Sequence, residues 1–183
     1  MKLSVALITL NEEANLSRTL ESVMPLVDEG DSEIIVVDSG SSDRTLEIAQ
    51  AYGARVFVEP WKGFAAQKNS AMDKGTGDWI LQLDADESLE PGLAGEIHAL
   101  IWGTPPQGPT GDVPQWDALT SGSQANGSPN SVGFWIPRKN YFLGRWIKHG
   151  GFYPDPKLRL IRRGAGKFEE YGAHPTIRVG EQC

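Results

Sequence analysis

Residues 79–92 read WILQLDADESLEPG, an apolar run that passes straight into Asp84, Asp86 and Glu87. Three carboxylates in four positions repel one another and raise each other's proton affinity unless positive charge lies among them. A solvated acidic turn would account for them as well. What surrounds the stretch decides between the two. KLSVALIT at 2–9 and EIIVVD at 33–38 are also short β-branched runs without polar alternation, the pattern of parallel strands covered on both faces. ARVFVE at 54–59 is a third strand, and DWILQLD is the fourth.

Helical segments separate these strands. Leu16, Leu20, Val23, Met24 and Val27 recur at helical spacing between the first two. SSDRTLEIAQAYG opens on capping residues and ends at Gly53, and GFAAQKNSAMDKG lies before the acidic strand. PGLAGEIHALIWG follows it, with Pro91 in the first turn. Strand and helix in strict alternation predict an α/β fold with a mostly parallel sheet.

The chain of 183 residues is long enough for one well-buried domain. Its hydrophobic content of 39% and charged content of 22% are those of an ordinary globular protein. No apolar run reaches the ~18 residues that span a bilayer, and MKLSVALITLNEE lacks a small-residue cleavage site, so it reads as a first strand. The lone cysteine, Cys183, excludes an internal disulfide and a cysteine-based zinc site. A cytoplasmic protein is expected.

Charge is distributed unevenly. Residues 1–131 hold seven Lys and Arg against twenty acids, and residues 132–183 hold ten against four. Three parts follow: an α/β half over 1–103, a Pro/Gly/Ser/Thr-rich flexible insertion over 104–131, and a basic, aromatic-rich half of the same domain over 132–183. Cations interleaved with aromatics suit sugars, phosphates and anionic headgroups, and Arg162 and Arg163 are expected to carry attraction to an anionic membrane. Nucleic acid, which the same chemistry also binds, is not expected.

In an open parallel sheet, ligands bind beyond the carboxyl ends of the strands. Those ends carry Thr9, Asn11 and Glu12, then Asp38, Ser39 and Gly40, then Asp84, Asp86 and Glu87. Asp38 suits a base or ribose hydroxyl, although it would equally cap the next helix. Asp84 and Asp86 form a D-x-D pattern; in an extended segment both would face one way and grip Mg²⁺ or Mn²⁺ beside a diphosphate. A cation among the acids would make their crowding tolerable. No phosphate loop, dinucleotide fingerprint or nucleophile elbow is present.

ITLNEEANLSRTLESV, EIIVVDSGSSDRTLEIAQAYGARVF, GFAAQKNSAM and GDWILQLDADE resemble, in order and spacing, the family 2 glycosyltransferases of the GT-A fold. IPRKNYFLGRWIKHGGFYPDPKLRLIRRG is similar to the branch that adds sugars to bacterial lipopolysaccharide core, the β-1,4-glucosyltransferase-like group. The resemblance implies an inverting transfer of a hexose from a nucleotide sugar, usually UDP-linked, to a lipid-linked or lipopolysaccharide-core saccharide. It implies Thr9, Asn11, Glu12 and Asp38 at the nucleoside and Lys68 at the base or diphosphate; Ser39, which lets the backbone approach closely, and Arg138 and Arg159 are expected as further substrate contacts. Asp84 would meet ribose or metal and Asp86 the metal itself. Inversion also needs a catalytic base; Asp155, downstream among the acceptor-side residues, is the candidate, although between Pro154 and Pro156 it would serve nearly as well as a turn aspartate.

Two departures stand out. His174-Pro175 occupies a position where relatives carry His-Glu, and the chain stops at Cys183 where relatives continue, so it reads as a fragment or a minimal domain. A catalytically impaired nucleotide-binding module is therefore the alternative reading. A nucleotidyltransferase is less favoured, because TLNEEAN is acidic where a triphosphate loop is basic.

Overall fold

The computed structural model describes residues 1–28, 32–103, 118–120, 131–170 and 175–179. Strands β1 (Leu3–Thr9), β2 (Glu33–Asp38), β3 (Arg55–Val58) and β4 (Trp79–Asp84) are parallel. They alternate with helices α1 (Leu16–Val27), α2 (Thr45–Ala51), α3 (Phe64–Lys74) and α4 (Pro91–Trp102). The α/β architecture expected from the sequence forms.

Then the chain changes direction. β5 (Ala118–Thr120), β6 (Ser131–Arg138) and β9 (Asp155–Arg162) extend the same sheet with antiparallel pairing, in the order β3-β2-β1-β4-β9-β6-β5. β7 (Tyr141–Phe142) and β8 (Arg145–Trp146) form a separate hairpin. β10 (Gly166–Glu169) pairs with β11 (Thr176–Val179). The segment expected as a flexible insertion contributes β5 to the sheet edge, and Ser131 is buried in β6. Its other residues, 104–117 and 121–130, lie outside the described residues.

Two apolar layers cover the sheet. Leu16, Leu20 and Val23 of α1 and Ile97 and Ile101 of α4 bury one face against Val5, Leu7, Val36 and Leu81. Met24 and Val27, on the same helical stripe, pack at its margin. On the other face Ala71 and Met72 of α3 meet Ala6, Val37, Ile80, Ile161, Phe168 and Ile177.

The order of the parallel strands fixes the site. From β1 the chain steps to β2 and β3 on one side, and β4 then pairs on the other. The sheet reverses winding between β1 and β4, and the crevice beyond such a reversal is where ligands bind. β9 runs antiparallel to β4, so its first residue, Asp155, reaches the rim that carries Asp84.

Candidate active site

The loops after β1 and β2 are laced together. Asp38 is fully buried, and its Oδ2 accepts from Thr9 Oγ1 at 2.8 Å and from Ser41 Oγ at 2.5 Å. Its Oδ1 accepts from the backbone N–H groups of Gly40 at 2.8 Å and Ser41 at 2.7 Å. Burial opposes ionisation of Asp38, but these hydrogen bonds, led by Ser41, hold its carboxyl below the usual range. Four donors use its ordinary acceptor capacity. Asp38 therefore orders the loop rather than offering a free oxygen to a ligand.

Asn11 extends this lacing. It sits in the left-handed region at φ 56°, which asparagine tolerates better than most residues, and its Oδ1 accepts from Ser42 N at 2.9 Å. Its own N–H donates to Ser41 Oγ at 2.8 Å, and Glu12 N donates to Thr45 Oγ1 at 2.8 Å. Glu12 Oε2 accepts from Asn15 Nδ2 at 3.1 Å. Ser39 donates its N–H to Thr9 O at 2.9 Å, yet its buried hydroxyl has no partner among the described residues. An unsatisfied buried hydroxyl is costly, and here it lies at the carboxyl end of β2. Gln67, fully buried on α3, likewise has neither amide atom paired among the described residues. The family resemblance pointed to its neighbour Lys68 and not to this amide.

At the end of β4 the D-x-D pattern does not lie in an extended segment. Glu87 N donates to Asp84 O at 3.0 Å, closing a turn over 84–87. The two carboxylates part company. Asp84 turns inward, with Oδ1 at 2.5 Å from Lys68 Nζ and Oδ2 at 3.1 Å from Arg159 Nη2. Asp86 is exposed, its carbonyl accepts from Arg18 Nη2 at 3.0 Å, and its carboxylate has no partner among the described residues.

Cations do sit among the acids, and they are the protein's own. Arg159 Nη2 also lies 2.6 Å from Glu87 Oε1, while its Nη1 donates to Gln82 Oε1. Arg138 Nη1 stands 3.6 Å from the same Glu87 oxygen. The Arg138 Nε and Nη2 then donate to Asp155 Oδ2 at 3.0 and 2.7 Å, and Lys157 Nζ lies 2.9 Å from Asp155 Oδ1. Lys68, Asp84, Arg159, Glu87, Arg138, Asp155 and Lys157 thus alternate in sign along one rim, four cations against three carboxylates.

The pKa consequences differ by depth. Burial pushes Asp84 up, but Arg159 and Lys68 more than reverse this and hold it well below the usual carboxylate range. Asp155 is less buried; Lys157, Arg138 and Asn140 outweigh its desolvation and lower it to about 2. Arg159, only 7% exposed, is engaged by Asp84, Glu87 and Gln82. Two carboxylates at the end of β4 need such a cation to stay ionised side by side. Arg138 is more open and borders a cavity of about 370 Å³ with Asn140, Tyr141, Phe142, Phe152 and Asp155.

Mg²⁺ is commonly held by one or two carboxylates, with waters and substrate phosphates completing its shell. The unpaired carboxylate of Asp86 fits that role, whereas both oxygens of Asp84 already face cations. No cluster of three metal-ligating side chains occurs among the described residues, so phosphate oxygens and water would have to supply the remaining ligands.

A model of the family described as Glycosyl transferase family 2 matches residues 4–167. Over 174 residues the chain is 31% identical to the lipopolysaccharide core biosynthesis glycosyltransferase LpsC of Rhizobium meliloti, covering 92% of this chain and 54% of that one. An uncharacterized glycosyltransferase of Rickettsia felis is 47% identical over 100 residues, 55% of this chain and 34% of its own. The chain therefore spans about a third to a half of the length of these relatives. A crystal structure of Mycobacterium tuberculosis glucosyl-3-phosphoglycerate synthase with Mn²⁺, UDP and glucosyl-3-phosphoglycerate superposes with a TM-score of 0.46. That match covers 55% of this chain and 40% of the other at 33% identity.

Proposed function

Since the chain belongs to glycosyl transferase family 2, we propose that it moves a hexose, with inversion, from a UDP-linked sugar to a lipid-linked or lipopolysaccharide-core saccharide. The observation that carries this reading is the rim itself. Asp86, a carboxylate unpaired among the described residues, stands at the winding reversal beside a row of alternating charges with one cation in excess. An anionic diphosphate suits that excess, and Asp86 would hold a divalent cation against it. The metal, when bound, neutralises charge on the leaving diphosphate.

The other roles belong to this chain's own residues. The loop ordered by Asp38, Thr9 and Asn11 forms the nucleoside side, with the Ser39 hydroxyl and the Glu12 carboxylate as polar contacts. Lys68 and Arg159 keep Asp84 ionised and fixed, and Lys68 is the cation placed to shift toward a diphosphate. The acceptor enters the cavity beside Arg138 and Asp155. Its hydroxyl oxygen bonds to the anomeric carbon as the bond to the diphosphate oxygen breaks, and the diphosphate leaves with that electron pair. Asp155, the only carboxylate among the described residues that line the cavity, takes the hydroxyl proton.

A base held near 2 is weak, so its contribution belongs at the low end of general-base catalysis, about 10²-fold. That weakness, together with Pro175 where the family resemblance implies Glu, favours a second reading: a module that binds the nucleotide without turnover. Calorimetric titration of UDP tests the shared premise. Mn²⁺-dependent binding supports both readings, and no UDP binding with or without Mn²⁺ rejects them together.

A further inference from the structure

The β7–β8 hairpin places at its tip a residue that the backbone there disfavours. Phe142 pairs with Arg145, leaving Leu143 and Gly144 as a two-residue loop. Both have positive φ, 49° and 73°, the pattern of a type I′ turn that Asn-Gly satisfies best. A leucine at the first position is strained by its Cβ. Its side chain is 87% exposed, so packing within the described residues does not offset that strain. Phe142 at 67% and Tyr141 at 59% are exposed beside it.

The surrounding charge is of one sign. Residues 138–154 contain Arg138, Lys139, Arg145 and Lys148 and no Asp or Glu. Arg145 and Lys148 have no carboxylate partner among the described residues, and Lys148 Nζ lies 4.5 Å from the Trp146 ring centroid. An apolar tip with aromatic flanks and cations that lack a carboxylate partner among the described residues matches the interfacial layer of an anionic bilayer. Aromatic rings favour the headgroup level, and apolar burial and charge attraction add there.

We propose that the 141–146 hairpin docks the protein on an anionic bilayer, with Leu143 entering the headgroup region and Arg145 and Lys148 facing the headgroups. The purpose rests on the transfer reading above: the hairpin borders the acceptor cavity through Tyr141 and Phe142, so docking brings a bilayer-held acceptor to Asp155. Arg162 and Arg163, which the charge distribution alone suggested, belong to the other end of the sheet. The Arg162 guanidinium stacks 4.7 Å over Trp79 and donates to Ser131 O, and Arg163 N donates to Asp78 O.

Leu143→Asn separates contact from fold, because Asn suits the left-handed position and leaves the cavity lining intact. The 183-residue chain should sediment with vesicles containing phosphatidylglycerol at low salt, and not with pure phosphatidylcholine. Leu143→Asn, and separately Arg145→Ser with Lys148→Ser, should each weaken partitioning by about tenfold or more. Leu143→Asn should keep or raise the melting temperature. Absence of wild-type binding to anionic vesicles at low salt overturns the proposal, as does Leu143→Asn binding like wild type. So does a dimer that Leu143→Asn dissolves without any vesicle binding, which would make the tip a contact between copies. Vesicle binding needs neither donor nor acceptor, so loss of UDP binding alone would reject the transfer reading and leave docking standing.

Discussion

Arg159 Nη2 lies 3.1 Å from Asp84 Oδ2 although 75 residues separate the two in sequence. The same nitrogen reaches Glu87, so one buried guanidinium ties the end of β4 to the middle of β9. Removing one partner of a buried pair costs about 3–5 kcal/mol, because the remaining charge is left uncompensated. Here Lys68 and Arg138 still face the two acids, which places the loss at the lower end. Arg159→Met should therefore lower unfolding stability by about 3 kcal/mol, read from urea denaturation. A loss under about 0.5 kcal/mol, the scale of an ordinary surface change, would show that Arg159 does not hold the rim.

The same ion pairs set the response to acid. Asp84 has a folded-state pKa depressed below its unfolded value, and Asp155, Glu33 and Glu59 are each lowered to about 2. A depressed carboxylate contributes stability that is present above the unfolded pKa, near 4, and is lost as pH falls through the folded one. The melting temperature should hold between about pH 7 and 5 and then fall steadily from about pH 4 toward 2. A melting temperature that rises on acidification through pH 4 would contradict the assignment of these pairs.

Much of this arrangement was legible beforehand, and the boundary is physical. Unalternating runs such as EIIVVD reveal buried parallel strands because covering both faces leaves no polar side. Their order then places Thr9, Asp38 and Asp84 on one rim. The geometry of the D-x-D pair was not legible, since a turn hydrogen bond between Glu87 and Asp84 redirects the carboxylates. Nor was the insertion of β9 between β4 and β6, because antiparallel pairing across a long connection leaves no local mark. The pairing of Arg159 with acids 72 and 75 residues away was hidden for the same reason.

Asp86 offers the cleanest separation of binding from folding. Its side chain is exposed and unpaired among the described residues, so Asp86→Ala should change stability by less than about 0.5 kcal/mol. It should nevertheless abolish the Mn²⁺ dependence of UDP binding. Equal UDP affinity in wild type and variant, with Mn²⁺ present, would reject the proposed role of Asp86 in holding a metal.

Transfer itself is the most direct test of the account. With Mn²⁺, a panel of UDP-sugars and a lipopolysaccharide-core acceptor, the wild-type chain should release UDP in an acceptor-dependent manner. Asp155→Asn should bind UDP as tightly yet turn over about 10²-fold more slowly. Tight, metal-dependent UDP binding with no acceptor-dependent release from any donor would contradict the transferase assignment and leave a nucleotide-binding module.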